Sequence, residues 1–346
     1  MFEKMIHHRP PWLVTPPSTK PIAISSRIRL ARNMSDLPFP GRCTNEQRSE
    51  VILRVTKAVK KTALLKKAEV LKLDSLSPID RQFLVERHLV SPEFVQQDAP
   101  AAVIISNDET CSLMINEEDH IRMQVLRSEL NLEEAWEMLN KFDSELEKSL
   151  PYAFSSKYGY LTACPTNVGT GLRASAMLHL PALVHEHKIG SVMSAVGKIG
   201  IAVRGLYGES SDSKGNMFQI SNQVTLGQNE ENIVNQLHQI VLRIIEHENK
   251  LREALIANKP HQIKNDVGRA YGTLKYAEIL TSEEATELLS SLLIGVDLQV
   301  FDEVDRTIVN ELLIDIQPAH LQKMKGKNLT AEQRDLYRAK LIRTRL

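Results

Sequence analysis

Apolar and polar positions change period several times along the chain, and each change predicts an element. Residues 20–33, KPIAISSRIRLARN, alternate: Ile22, Ile24, Ile28 and Leu30 share one strand face with Ser26, while Ser25, Arg27 and Arg29 share the other. Two apolar runs, AAVIIS (101–106) and CSLMIN (111–116), are joined by NDET and predict a hairpin. The segment EEDHIRMQV then alternates Ile121, Met123 and Val125 with Arg122 and Gln124. Alternation returns over 172–180, where Leu172, Ala174, Ala176, Leu178 and Leu180 oppose Arg173, Ser175, Met177 and His179. Residues 199–205 and 217–227 predict two more strands, separated by the polar loop YGESSDSKGN.

Helical spacing fills the rest. Residues 46–72 are rich in helix formers and end in a Lys-rich segment, and 78–90 predict another helix. Asn131 and Glu134 suggest a capping box opening a helix with the stripe Leu132, Trp136, Leu139, Phe142 and Leu146. From 229 onward Ile233, Val234, Leu237, Ile240, Val241, Ile244 and Ile245 repeat at helical spacing. Further helices are expected at about 263–280, 282–293, 302–315 and 330–345. The pattern divides the chain into an irregular Pro-rich segment (1–20), a mixed α/β part (21–254) and an all-helical part (255–346).

Composition narrows the class. The 346 residues are 42% hydrophobic and 25% charged, as in an ordinary globular protein with a large core. Lys plus Arg is 43 and Asp plus Glu is 43, so there is no overall basic footprint for nucleic acid. Cys43, Cys111 and Cys164 are too few for a disulfide framework and fit a reducing compartment. No apolar run approaches the ~18 residues of a membrane span, and the first residues lack the apolar core of a secretory signal. A cytoplasmic protein without nucleic-acid or membrane partners is expected.

The chemistry lies in arginines and carboxylates. No P-loop is present. GTGLRA (169–174) fits GxGxxA formally, but it follows CPTNV rather than a strand, which argues against dinucleotide binding. Arg27, Arg29, Arg122, Arg173 and Arg204 instead each accompany a strand-like run. Converging guanidinium forks suit phosphate oxygens, although spacing alone does not establish convergence. Glu117, Glu118 and Asp119 form an acidic cluster, and Glu209 lies in the polar loop. Such carboxylates can grip a cationic nucleophile and take its proton. Near arginines, Cys164 can carry a stabilised thiolate.

Together, SSRIRLARN (25–33), NEEDHIR (116–122), CPTNVGTGLRAS (164–175), RGLYGE (204–209) and ISN (220–222) resemble the phosphagen (guanidino) kinase family in order and spacing. The resemblance implies an α+β fold: a catalytic domain of antiparallel sheet flanked by helices, here followed by a helical C-terminal domain. It implies ATP as phosphoryl donor, with Mg2+ held through the nucleotide and no protein metal site. Carried over residue by residue, Glu118, Glu209 and Cys164 match the catalytic set, with Glu117, Glu118 and Cys164 around the guanidine. The nucleotide positions would be Ser25, Ser26, Arg27, Ile28, Arg29, His88, Arg122, Arg173, Ala174, Ser175, Ala176, Met177, Arg204, Gly205, Leu206, Tyr207, Gly208 and Glu209. Two positions depart from the family pattern. Met177 stands where many members carry a histidine beside the adenine, and Met114 stands where they carry a Trp.

Small-guanidine members carry a helical domain before the first arginine motif, which here begins at residue 25. The helical part after the catalytic one points instead to the protein-arginine kinase branch. RDLYRA (334–339) matches that branch's phosphoarginine-pocket motif, which would place Arg334, Asp335, Arg338 and Ala339 around a phosphorylated guanidine. Arg334 and Arg338, at i and i+4, share a helix face. The branch further implies protein substrates with exposed arginine, a zinc-containing activator, a Clp-type protease system, a heat-shock repressor as target, and a homodimer. The stripe Leu274, Ala277, Leu280, Leu288 and Leu292 is a candidate dimer surface. A small-guanidine kinase and a non-catalytic phosphoarginine adaptor are the alternatives.

Overall fold

The alternating segments pair into one sheet. In the computed structural model, which describes residues 1–14, 22–205, 214–301 and 304–346, the strands are β1 (Ala23–Arg32), β2 (Glu69–Lys72), β3 (Ala102–Ile105), β4 (Cys111–Ile115), β5 (Ile121–Ser128), β6 (Phe154–Ser155), β7 (Gly159–Tyr160), β8 (Leu172–His179), β9 (Ile201–Gly205) and β10 (Met217–Asn222). Eight of them form an antiparallel sheet in the order β2-β3-β4-β5-β1-β8-β10-β9, and β6 and β7 form a small separate ribbon.

The helices are α1 (Phe2–His7), α2 (Asn45–Val59), α3 (Pro78–Glu86), α4 (Pro92–Gln96), α5 (Leu132–Glu147), α6 (Pro181–His185), α7 (Ile189–Gly197), α8 (Glu230–Asn258), α9 (Pro260–Tyr276), α10 (Ser282–Asp297), α11 (Arg306–Asp315), α12 (Pro318–Lys325) and α13 (Ala331–Arg345). Helices α5 and α8 cover one face of the sheet. Ile28, Leu30, Leu172, Ala174, Ala176 and Leu178 point into this layer and join one hydrophobic cluster. Each large apolar side chain buried there contributes about 1.5–3 kcal/mol. The alternate positions, with their arginines, face the other way.

Several expectations need correction. The first twenty residues are not wholly irregular: α1 forms, and Met5 packs with Phe83 and Phe94 in a second cluster. The helix begun at Asn45 stops at Val59, and Glu69–Lys72 adds an edge strand, since the apolar period fails across the lysines. The Asn131 side chain does not cap α5; it donates to the Ser128 carbonyl (2.6 Å), and its own N–H donates to Ser26 Oγ (2.9 Å). The last strand ends at Asn222, whose amide donates to the Leu172 and Val224 carbonyls and turns the chain. Helix α12 was not anticipated; buried Glu86 of α3 fixes its start by accepting from Ala319 N and His320 N. Leu274, Leu280 and Leu292 are fully buried, so the stripe proposed for a dimer surface packs within the molecule.

Helix α8 runs unbroken from the sheet into the helical part. There Arg252 donates to Glu248 (2.8 Å), Asp297 (3.2 Å) and the His179 carbonyl (3.2 Å), and Arg306 donates to Asp297 (2.7 Å). This buried ion network joins α8, α10, α11 and the end of β8. Charges removed from water in this way are tolerated only when paired and hydrogen-bonded, as here.

Candidate active site

The arginine positions converge. Cross-strand register places Arg29 opposite Arg173 and Gln124, Arg27 opposite Ser175, and Arg204 opposite Gln219. Because side chains alternate, these residues share the sheet face away from the main core. They line a cavity of about 1550 Å³, together with Ser25, His88, Glu117, Glu118, Arg122, Met177 and Gly205.

Its electrostatics are lopsided. Burial and the neighbouring Arg122 and Arg173 lower the Arg27 pKa to about 10. Burial, Arg27 and Arg122 hold Arg29 well below its ordinary value. Arg173 is lowered by burial, then by Arg204 and Arg122. Burial also opposes the charge of Arg122, but its ion pair with Glu117 (2.5 Å) outweighs this and raises its pKa. Arg27 donates to Gln219 (2.7 Å), a neutral partner. The Nε atoms of Arg29 and Arg173 are buried without an acceptor. Crowded guanidinium groups, two of them with a buried N–H that has no acceptor, are the complement of a polyanion.

The carboxylates occupy the turn between β4 and β5. Glu117 is committed to Arg122 and to the hydroxyl of Ser91. Glu118 is exposed towards the cavity, and partial desolvation, then Asp119 and Glu117, raise its pKa. The Cys164 thiol bonds the Thr166 hydroxyl (3.0 Å) and also acts to lower the Glu118 pKa, so the cysteine belongs to this corner although it does not line the cavity. Asp119 is buried and accepts from Asn33 (2.6 Å) and from Ala163 N (2.7 Å), locking the Cys164 loop onto the acidic turn. That positioning role was missed in the sequence, although Asp119 lies inside NEEDH.

Not every expected residue takes part through its side chain. Ser26, Ile28, Ala174 and Ala176 lie on the core face. Ser26 there donates to the Glu129 carbonyl (2.7 Å). The expectation that they contact a nucleotide therefore fails for their side chains, because period-2 alternation turns every second residue away. Leu206, Tyr207, Gly208 and Glu209 lie outside the described residues. His88 does reach the cavity, with φ 60° and its ring edge-on to Trp12 at 5.1 Å. Burial, then Arg27, lowers its pKa to about 4, so it is neutral. Cavity residues without a sequence signal include Gln219, Lys214, Thr281, Ser282 and Thr286, several of them from α10.

In the helical part, Arg338 is buried, and its fork is spent on Asp335 (2.5 Å) and on the carbonyls of Ile316 (2.9 Å) and Leu280 (2.8 Å), which are next in sequence to the cavity-lining Gln317 and Thr281. Arg334 is half-buried and donates to the Leu329 carbonyl (2.9 Å), and Ala339 is buried. The two arginines of RDLYRA therefore do not form an open pair of forks here.

Residues 50–251 match the ATP:guanido phosphotransferase C-terminal catalytic domain, and residues 260–346 match the protein-arginine kinase McsB C-terminal domain. A protein-arginine kinase of Halothermothrix orenii is 45% identical over 346 residues, covering 100% of this chain and 98% of that protein. Another, from Moorella thermoacetica, is 46% identical over 325 residues, 93% of each chain. Lombricine kinase superposes with a TM-score of 0.60 at 26% identity over 70% of each chain. The duplicated taurocyamine kinase of Schistosoma mansoni, crystallised with transition-state analogue components, gives 0.62 at 28% identity over 70% of this chain and 35% of that one. The relatives extend across both the arginine-lined sheet and the helical part after it, and on that evidence the chain belongs to the protein-arginine kinases, within the ATP:guanido phosphotransferase family.

Proposed function

We propose that this chain transfers the γ-phosphoryl group of MgATP to arginine side chains of proteins. The observation that carries the reading is one cavity holding both a crowded arginine cluster, in which the Nε atoms of Arg29 and Arg173 have no acceptor, and, at its rim, the open carboxylate of Glu118.

A guanidinium is not a nucleophile, since its pKa exceeds about 12. Glu118 would hold it, orient one nitrogen and accept the proton released as the N–P bond forms. Its raised pKa suits a base better than an ordinary carboxylate would. Cys164 would favour the charged form of that carboxylate from beside it, and Glu209 is proposed as the second carboxylate. Arg27, Arg29, Arg122, Arg173 and Arg204 would hold the phosphates, with Ser25, Ser175, Met177, His88 and Gly205 along the nucleotide. Mg2+, entering with the phosphates, neutralises charge on the transferred group when bound. Catalysis of this kind is mainly positioning and electrostatic stabilisation.

The reading extends to the family context: a zinc-containing activator, delivery of marked proteins to a Clp-type protease, inactivation of a heat-shock repressor, and a cytoplasmic homodimer. Among the described residues, no helix is long and apolar enough to cross a membrane. Exposed Tyr276, Ile279 and Leu336 support a dimer contact beside RDLYRA. Phosphoarginine binding by Arg334, Asp335, Arg338 and Ala339 is part of the same proposal and requires Arg338 to exchange its carbonyl partners for phosphate.

The test is phosphoamino-acid analysis after incubation with MgATP and an unfolded, arginine-containing protein, with free arginine in parallel. Acid-labile phosphate on protein arginine is expected, reduced about 10²–10⁴-fold in Glu118→Gln. Phosphate on free arginine alone would establish a small-guanidine kinase. No transfer, with phosphoarginine still bound, would establish an adaptor.

A further inference from the structure

The cavity has a wall that the catalytic sheet does not supply. Thr281, Ser282 and Thr286 of the helical part line it beside Lys214. This wall is anchored rather than loosely apposed. The Gly215 N–H donates to Glu287 (2.7 Å), and Asn216 donates to the Ser290 hydroxyl (3.0 Å). The same hydroxyl bonds His179 (2.8 Å), and both residues are fully buried. Gly215 has φ 67°, and a Cβ there would lie 2.8 Å from a Thr286 methyl, so only glycine lets the helix approach this closely.

Position along the sheet indicates which part of a ligand meets that wall. Arg173 and His179 are six residues apart on β8, about 20 Å at ~3.3 Å per residue. Arg29 stands level with Arg173, where two buried Nε atoms have no acceptor, Arg27 stands level with Ser175, and Arg204, through Gln219, with Met177, so the arginines run from Arg173 towards His179. Helix α10 docks at the His179 end. A triphosphate seated on the arginines would therefore extend its nucleoside towards α10.

We propose that helix α10 is part of the nucleotide site: Ser282 and Thr286 contact the nucleoside, and Glu287 and Ser290 are positioning residues that hold them there. This rests on the nucleotide reading of the arginine cavity. Nucleotide affinity then depends on the C-terminal domain, not on the sheet alone.

Calorimetric titration of the full chain with MgATP and with inorganic tripolyphosphate, without acceptor, tests it. Wild type is expected to bind MgATP more tightly than tripolyphosphate. Ser282→Trp is expected to weaken MgATP about tenfold and leave tripolyphosphate unchanged. Glu287→Ala is expected to do the same more weakly, with partial rescue by Glu287→Gln, and thermal melts confirm that each variant is folded. Unchanged MgATP affinity in folded Ser282→Trp, or equal loss of both ligands, overturns the inference and leaves the phosphate site standing. Binding of neither ligand by wild type overturns the nucleotide reading itself.

Discussion

His88, His120 and His179 are the histidines whose surroundings constrain the response to acid. Burial lowers His88 and His120 to about 4, from an ordinary value near 6.5, and holds His179 well below that value. The unfolded chain therefore binds more protons between those values, and stability must fall as pH drops from about 6.5 towards 4. Melting temperatures across that window are expected to decline, with a shallower slope in His88→Asn, a residue that tolerates the positive φ. Glu118 governs activity instead. Its raised pKa is expected to place the acid limb of kcat/KM above the ordinary carboxylate value of about 4.3. Absence of such a limb in wild type would remove Glu118 as the base.

The strands were legible where one face is apolar and the other charged, because alternation is the direct trace of a sheet with two different environments. The β1, β5 and β8 arginines could be assigned to a face in this way, but not to one cavity, since cross-strand register is absent from local sequence. The same reasoning explains why the side chains of Ser26 and Ala174 face the core: a matched motif is contiguous, whereas a strand presents alternate side chains to each face. Helix α12 escaped notice because its start is fixed by Glu86, far away in sequence. Some loops are constrained as tightly as the strands. Gly169 has φ 112°, and a Cβ there would meet the Thr225 carbonyl at 2.5 Å, on the loop that carries Cys164. Gly169→Ala is expected to cost at least about 1–3 kcal/mol in denaturant unfolding and to lower activity by displacing Cys164 from Glu118. An unchanged kcat would detach that loop from the chemistry.

The whole molecule is expected to unfold as one unit. The Arg252–Glu248–Asp297–Arg306 network and the His179–Ser290 bond are buried between the sheet and the helical part, so neither can open without exposing the other's charges. Calorimetry should give one transition with equal calorimetric and van't Hoff enthalpies, and two resolved transitions would contradict this coupling. Helix α8 sets the geometry of that union. The match to the catalytic-domain family ends at residue 251 and the match to the C-terminal-domain family begins at 260, and α8, Glu230–Asn258, spans most of the gap, with Lys259 alone before α9. The join is a rigid rod rather than a tether, so chain length there sets angle. One residue inserted in the last turns of α8 would swing everything after it by about 100° and tear α10 from Asn216, whereas the same insertion in a surface loop would be absorbed. Exposed positions of α8 can therefore change in composition, but its length cannot, nor can buried Glu248 and Arg252.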